Sequence, residues 1–503
     1  MSFPKKKILL LVSYAMIILI YIPVMVLSSG SNNVTIQSRG TIVLRYEFPP
    51  SNFTYRIFQN STSTYRISSM GFVDDHYGDP AVVINNALWN CSAAGGGSVY
   101  VVPDTYLTGT PIGGNPLYGT AFSNVYLMFG NGTIIRRTSG NNENDYAFWL
   151  INAVSPSVTT NFTLTSNGTA YFDCQNYANG AFVQQTSKFT MRNIGFEHCT
   201  GDGIILKRNT YPYVENVTVF SYDEGYGGGF MLALSDVQYG TFKHLVLDGN
   251  YQALSRGGIY LGDWDSNAYW DGTYFNNFSD VQIRNMKRTG IYLNAGALGW
   301  SVYNNTFTNC TIENNWQGAY PAIKLRPAQN NTFTDIVIRN MTDAVTTGTS
   351  YLDSETAGNC TGNSITATID GCTLTSFILT TDDDNQAVDH NFFNLTIANS
   401  KGTYFSSGTN SPIHDNIAYL NFTNSQGGLY FEGGYFSNNV FVCNFSNTLA
   451  SSGGKADIWF LDDPNFDPGI TGNQIYVIAH GSNTFLCFTN GTRQNYVYYP
   501  WNG

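Results

Sequence analysis

One short strand pattern recurs along this chain and limits what it can fold into. It opens on Gly or Ala, and apolar residues alternate with variable ones: Gly203-Ile-Ile-Leu-Lys207, Gly229-Phe-Met-Leu-Ala233, Gly258-Ile-Tyr-Leu-Gly262, Gly290-Ile-Tyr-Leu-Asn294 and Ala322-Ile-Lys-Leu-Arg326. Gly402-Thr-Tyr-Phe-Ser406 and Gly428-Leu-Tyr-Phe-Glu432 continue it. The first five openings lie 26, 29, 32 and 32 residues apart. A fixed period of this size marks a stacked repeat whose units cannot bury their apolar faces alone. Period-2 alternation makes each unit a strand.

A second strand accompanies each of these and ends on Asn. Examples are Phe278–Asn285, Phe333–Asn340, Phe393–Asn399 and Ile417–Asn424, with Asn314 and Asp248 in matching places. Asn tolerates left-handed backbone and bonds its own turn. Stacked Asn side chains are therefore expected to form a hydrogen-bonded ladder. Two or three strands per coil, joined by tight turns without helices, describe an all-β, single-stranded parallel β-helix, a solenoid.

Length and charge fit an exported rod. The 503 residues are enough for several domains, but a repeat overrides that prior in favour of one solenoid. A net charge of −11 and no basic tract beyond Lys5-Lys6-Lys7 argue against nucleic acid as partner. Those lysines precede an apolar run from Ile8 to Leu27, broken only by Ser13 and Pro23. Cations before about 20 apolar residues send the rest of a chain outward, as a cleaved signal peptide or as a membrane anchor. Both readings stay open, and either places the protein in the extracellular space or at the cell surface. The expected organisation is residues 1–30 as signal or anchor, 31–67 as exported linker or N-terminal strand region, 68–454 as β-helix with its N-terminal cap and 455–503 as a turn-rich C-terminal cap.

Eighteen Asn-x-Ser/Thr sequons accompany this, among them Asn131, Asn167, Asn216, Asn277, Asn304, Asn330 and Asn421, all candidate glycosylation sites. A chain rich in Asn, Ser and Thr also generates sequons by chance. Eight cysteines, none in a Cys-x-x-Cys pair, suggest disulfides outside the cell. Cys174 with Cys199, and Cys360 with Cys372, are plausible pairs by position. Free buried thiols are the alternative.

Before the coils, Asp79-Pro80 opens a helix through Cys91, with Ile84, Ala87, Leu88 and Cys91 on one apolar face. Such a helix suits the open end of a solenoid. Then come Gly95-Gly-Gly97 with a strand, and Pro103-Asp-Thr-Tyr-Leu107. This opening resembles that of the pectate lyase superfamily, although Asp104 stands where that family usually has Gly. With the coils, the resemblance covers about residues 68–447. It implies a right-handed parallel β-helix with an N-terminal capping helix. It says little about chemistry, since the superfamily includes lyases, glycoside hydrolases, epimerases, tailspikes and noncatalytic surface proteins.

The site is therefore sought on the outward strand positions. One column is expected to run Ile205, Met231, Tyr260, Tyr292, Lys324, Tyr404, Tyr430. The next is expected to run Lys207, Ala233, Gly262, Asn294, Arg326, Ser406, Glu432. With coils about 4.8 Å apart, Tyr260 and Tyr292 become stacked neighbours followed by Lys324 and Arg326. Asp263, Trp264 and Asp265 lie just beyond Gly262. Aromatic faces such as Tyr260, Trp264 and Tyr292, with Asn294, suit sugar rings, and the cations suit acidic sugars. Asp263 and Asp265 suit general acid and base roles in glycoside hydrolysis. In a lyase, Lys324 or Arg326 would abstract a proton and the aspartates would hold Ca²⁺; a hydrolase needs no cofactor. The plain alternative is that Tyr stripes simply suit strands.

Other candidates read as structural. Asp202 sits in a turn, and His198 at a ladder position. Thr381-Asp-Asp-Asp-Asn385 is a carboxylate cluster, but the Asn-Thr-Asp, Gly-His-Gly and Arg-Ile-Lys elements of polygalacturonases are absent beside it. Two functions remain: a polysaccharide hydrolase or lyase acting along the rod, and a noncatalytic surface, adhesion or envelope protein that binds glycan.

Overall fold

A computed structural model describes residues 53–498 with gaps, together with the strands Val24–Leu27 and Val34–Gln37. The larger gaps are 114–121, 152–157, 222–228, 251–256, 263–271, 296–301, 315–319, 350–358, 382–386, 449–457, 462–469, 480–485 and 489–494. Most of the expected signal or anchor segment therefore lies outside the described residues. Among the described residues no helix is long and apolar enough to cross a membrane.

The chain is a parallel β-helix whose coils wind through three sheet faces. The first sheet stacks long strands such as Thr190–Cys199, Tyr213–Ser221, Thr241–Asp248, Asn277–Arg284 and Thr332–Arg339. The second stacks Asn179–Gln184, Ile204–Thr210, Phe230–Gln238, Gly257–Gly262, Ile291–Asn294 and Pro321–Leu325. The third consists of two-residue strands such as Val302–Tyr303, Cys360–Thr361 and Val388–Asp389. Every strand pairing within these coils is parallel, with one residue opposite one over most of its length.

Alternation puts apolar side chains inside. In the first sheet Phe242, Phe278, Phe307 and Phe333 stack coil on coil, with ring centroids 4.6, 4.5 and 4.6 Å apart. All four are fully buried. The core is thus one continuous column, which is why no single coil is stable alone.

A second column had no place in the expected pattern. Asn276, Asn305, Asn331, Asn363, Asn391, Asn416, Asn439 and Asn473 form a buried ladder at the turn between the third and first sheets. Each Nδ2 donates to the Oδ1 of the Asn in the next coil, ending at Asn495. The residue before each is left-handed: Phe275, Asn304, Asn330, Gly362, His390, Asp415, Asn438 and Gly472. The strand-end Asn residues expected to form the ladder are also left-handed, but most lie on the surface. They make separate bonds such as Asn340 Nδ2 to Asn314 Oδ1 and Asn399 Nδ2 to Asp370 Oδ1.

Both ends extend beyond the expected repeat. Helix α1 spans Pro80–Ala93, longer by two residues than the pattern suggests. The Asp79 carboxylate accepts from Ala81 N at 2.9 Å through one oxygen. Through the other it accepts from Gly109 N and Thr110 N, so one side chain fastens the helix start to the first coil. Strand Tyr55–Asn60 pairs antiparallel with Ser63–Ser68 and parallel with Gly97–Val101. Residues 455–503, expected to be a cap without the repeat, instead contribute strands in register. Ile458–Leu461 follows Gln426–Glu432, and Tyr496–Tyr498 follows Gln474–Ala479. The apolar alternation there is short, interrupted by long connections, and so weak in the sequence.

The seven cysteines whose side chains are described are buried and form no disulfide with one another, which corrects the expected Cys174–Cys199 and Cys360–Cys372 pairs. Cys174 and Cys199 do meet across a coil, Sγ to Sγ 3.6 Å, as neighbouring thiols in the core. Cysteine acts here as a small apolar residue. Burial pushes Cys310 and Cys372 up to about 12 and Cys91 to about 11, so these three are not ready thiolates.

Candidate functional site

The second sheet's outer face carries the expected column, with one change of register. Ile205 pairs with Ala233, Ala233 with Tyr260, Tyr260 with Tyr292, and Tyr292 with Lys324. Met231, expected in this column, points inward and is buried in the core. Ala233 moves from the second column to the first, and Ser235 pairs with Lys207 and Gly262 in its place. A strand reads equally well after a slip of two residues, so the pattern Gly229-Phe-Met-Leu-Ala233 could not distinguish the two registers.

The column is also less open than an exposed Tyr stripe. Ile205, Ala233 and Tyr260 are buried, with Tyr146, Phe182, Phe230 and Tyr292 packed against them. Tyr260 is 5% exposed. Its ring lies over Gly262, where any Cβ would collide with it. Phe230 and Tyr260 are 4.9 Å apart between centroids, and Tyr260 and Tyr292 5.6 Å apart in an edge-on pair.

Tyr292 is the half-buried end of this strip and the point where the cations meet it. Arg326 Nη1 donates to the Tyr292 hydroxyl at 3.2 Å, and Lys324 Nζ sits 5.3 Å from the ring centroid. Arg326 is 5% exposed, whereas Lys324 is partly open. Asn294, two residues along the strand from Tyr292, is half-buried and pairs with Gly262. The structure thus brings together Tyr260, Tyr292, Lys324 and Arg326. Asp263, Trp264 and Asp265 lie outside the described residues, as do Asp382 to Asp384. Among the described residues no three His, Cys, Asp or Glu side chains are grouped to hold a metal ion.

The same face continues towards both ends. Tyr146 lies against Phe182, centroids 5.1 Å apart. Burial, and secondarily the Asp202 charge, push its hydroxyl well above the usual tyrosine range. Asp202 accepts from Phe230 N at 2.8 Å, a turn role. His198 bonds Asp173, which also accepts from Gln175 and Arg136. In later coils Tyr404 and Tyr430 stack at 5.6 Å and the Tyr404 hydroxyl donates to Glu432. Burial, then the Glu432 charge, push Tyr430 up to about 12.

One surface feature escaped the sequence reading. Tyr211, Tyr239 and Phe275 occupy successive left-handed positions and stack at 5.1 and 5.5 Å. They stand where later coils place Asn304 and Asn330. Three aromatic residues in a place that favours Asn or Gly were the available signal. All three are exposed, Tyr239 between the other two.

The sequon asparagines Asn131, Asn167, Asn216, Asn277 and Asn330 are exposed, and Asn304 and Asn421 are half-buried. Asn304 and Asn330 are the left-handed residues just before ladder asparagines. Their sequons thus follow from the grammar of the turn.

These coils define a parallel β-helix protein. No family model matches the chain, and no curated protein matches it. Among solved structures it is similar to PfbA, a surface adhesin of Streptococcus pneumoniae, at 12% identity, covering 77% of this chain and 90% of that one with a TM-score of 0.43. It is similar to the A-module of a mannuronan C-5 epimerase of Azotobacter vinelandii at 14% identity, covering 84% and 96% with a TM-score of 0.32. It is also similar to the tailspike protein of an E. coli bacteriophage, in complex with a pentasaccharide, at 10% identity, covering 80% and 77% with a TM-score of 0.43. Likeness of this degree leaves the function to the site.

Proposed function

We propose that the chain is an exported, carbohydrate-active protein that holds a long acidic polysaccharide along the outer face of its second sheet. The rod winds right-handed, α1 closes its N-terminal end, and the N-terminal apolar segment exports or anchors it. The observation that carries this reading is Tyr292, gripped by Arg326 and faced by Lys324 at the end of an aromatic strip. Lys324 meets the carboxylate of an acidic sugar, Tyr292 and Asn294 meet its ring and hydroxyls, and Arg326 holds Tyr292 in place. Asp263 and Asp265, one strand end away in sequence, supply the acid and base of a hydrolase, with Trp264 as a further sugar platform. In a lyase, Lys324 takes the base role, with Ca²⁺ on the aspartates.

The buried state of Tyr260 and Arg326 favours a second reading, a surface protein that binds glycan without cleaving it. A depolymerisation screen over neutral and uronic polysaccharides, with and without Ca²⁺, separates them. Reducing ends lost on Asp263→Asn and Asp265→Asn make a hydrolase, and unsaturated products lost on Lys324→Met make a lyase. Binding without either product leaves the noncatalytic protein. No binding to any acidic glycan overturns both.

A further inference from the structure

On the first sheet's outer face the columns change character near the C-terminal end. Opposite one another in successive coils stand Thr241, Asn277, Thr306, Thr332 and Ser364, then Phe392, Ile417 and Val440. Five polar residues give way to three apolar ones on a face turned to water. Phe392 is 37%, Ile417 41% and Tyr419 45% exposed. The Phe392 and Tyr419 rings lie 5.8 Å apart.

The residue in the middle of this patch is Asn394, in the sequon Asn394-Leu-Thr396. It is exposed in mid-strand, two residues from Phe392 on the same face and directly paired with Tyr419. The sequons at Asn304 and Asn330 lie instead at left-handed turn positions. Asn421 and Asn444 are mid-strand too, but Asn444 Nδ2 donates to Asn421 Oδ1 at 3.0 Å, and the pair is half-buried.

We infer that Asn394 is an N-glycosylation site whose first sugars lie across Phe392 and Tyr419. An Asn side chain reaches both rings from a shared strand face, and the apolar faces of sugar rings and of aromatic rings exclude water together. In the transfer, Asn394 Nδ2 forms a bond to the anomeric carbon of a polyprenyl-diphosphate-linked oligosaccharide. The glycosyl C–O bond breaks, the lipid diphosphate leaves with the electron pair, and the amide proton goes to the transferase's base. The glycan then covers a patch that would otherwise be open to other chains.

This inference rests on the exported state of the proposed function. The test is glycopeptide mass spectrometry on the full chain made in insect cells, followed by melting with and without enzymatic removal of N-glycans. The expected result is sugar on Asn394 and a loss of roughly 1–3 °C on its removal. That loss disappears in Phe392→Thr/Tyr419→Thr, whose Asn394 is still modified. Sugar on Asn131 and Asn216 with Asn394 bare overturns this inference and leaves export standing. Sugar on no sequon removes both. An occupied Asn394 whose glycan leaves melting unchanged overturns the packing of sugar on the rings.

Discussion

Asn331 donates to Asn363 twice, from its backbone N and from its Nδ2, both at 3.0 Å to the same Oδ1. Asn363 in turn donates to Asn391 in the same way and returns a bond to Ala328 O. Each rung thus satisfies the turn of the coil before it, and all of this is out of reach of water.

Asn363→Ala therefore leaves the buried Asn331 N without an acceptor and takes one bond from Asn331 Nδ2, which keeps Val302 O and Gln329 O, and one from Ala328 O, which keeps Thr361 N. At about 1–3 kcal/mol for a buried donor left unsatisfied, the expected loss is on the order of 3 kcal/mol. Hydrogen exchange at Asn331 and Asn363 is expected to accelerate first, because a stacked repeat opens locally. Thr368→Ala, on an exposed strand position, is expected to stay within about 0.5 kcal/mol.

At the second sheet, Tyr292→Ala is expected to weaken acidic-glycan binding about tenfold, or about 1.4 kcal/mol. Lys324→Met is expected to do the same and to flatten the salt dependence. Arg326→Met is expected to weaken binding less, since Arg326 is buried and acts through Tyr292. Titration of one uronic oligosaccharide against the three variants, at two salt concentrations, checks the order.

Asp343 offers a pH test. It is 5% exposed, and burial raises its carboxyl above the usual range, partly offset by bonds from Thr375. The folded state then holds a proton that the unfolded state has released. Stability is expected to fall as pH rises from about 4 through the raised value. Asp343→Asn is expected to be more stable than the parent at pH 7 and no more stable at pH 3. Equal melting differences at both pH values would contradict this.

The thiols give a simpler check. A native thiol assay is expected to leave Cys91, Cys174, Cys199, Cys310, Cys360, Cys372 and Cys443 unreacted, and unfolding to release them without a reductant. Melting is expected to be the same with and without reductant.

Asp79→Ala removes the helix cap and the bonds to Gly109 and Thr110 together. A cap alone is worth about 0.5–2 kcal/mol. Proteolysis within Pro80–Ala93 is expected to become faster, while cleavage in the central coils stays unchanged.

The coil grammar was legible because alternation and Gly openings are local. The inward stack Phe242, Phe278, Phe307 and Phe333, the start of α1 at Asp79, and the neighbours Tyr260, Tyr292 and Lys324 all follow from it. The buried Asn ladder was also written in the sequence, as a left-handed residue followed by Asn at each turn. It was hidden because the neighbouring Asn residues at strand ends look the same.

Period, strand direction and most of the outward residues were determined by the sequence itself, since a side chain's face follows from parity along a regular strand. Tertiary structure alone decided that Ala233 meets Tyr260 while Met231 turns into the core, because the alternation breaks at the start of that strand, where Met231 and Leu232 are both in the core. It alone decided that Tyr260 and Arg326 are buried beside a half-open Tyr292. It alone decided that Cys174 and Cys199 meet as neighbouring thiols with no bond between them, and that Phe392 and Tyr419 flank Asn394. Burial and contact between coils depend on the packing of segments some 25 residues apart, and no local pattern carries that information.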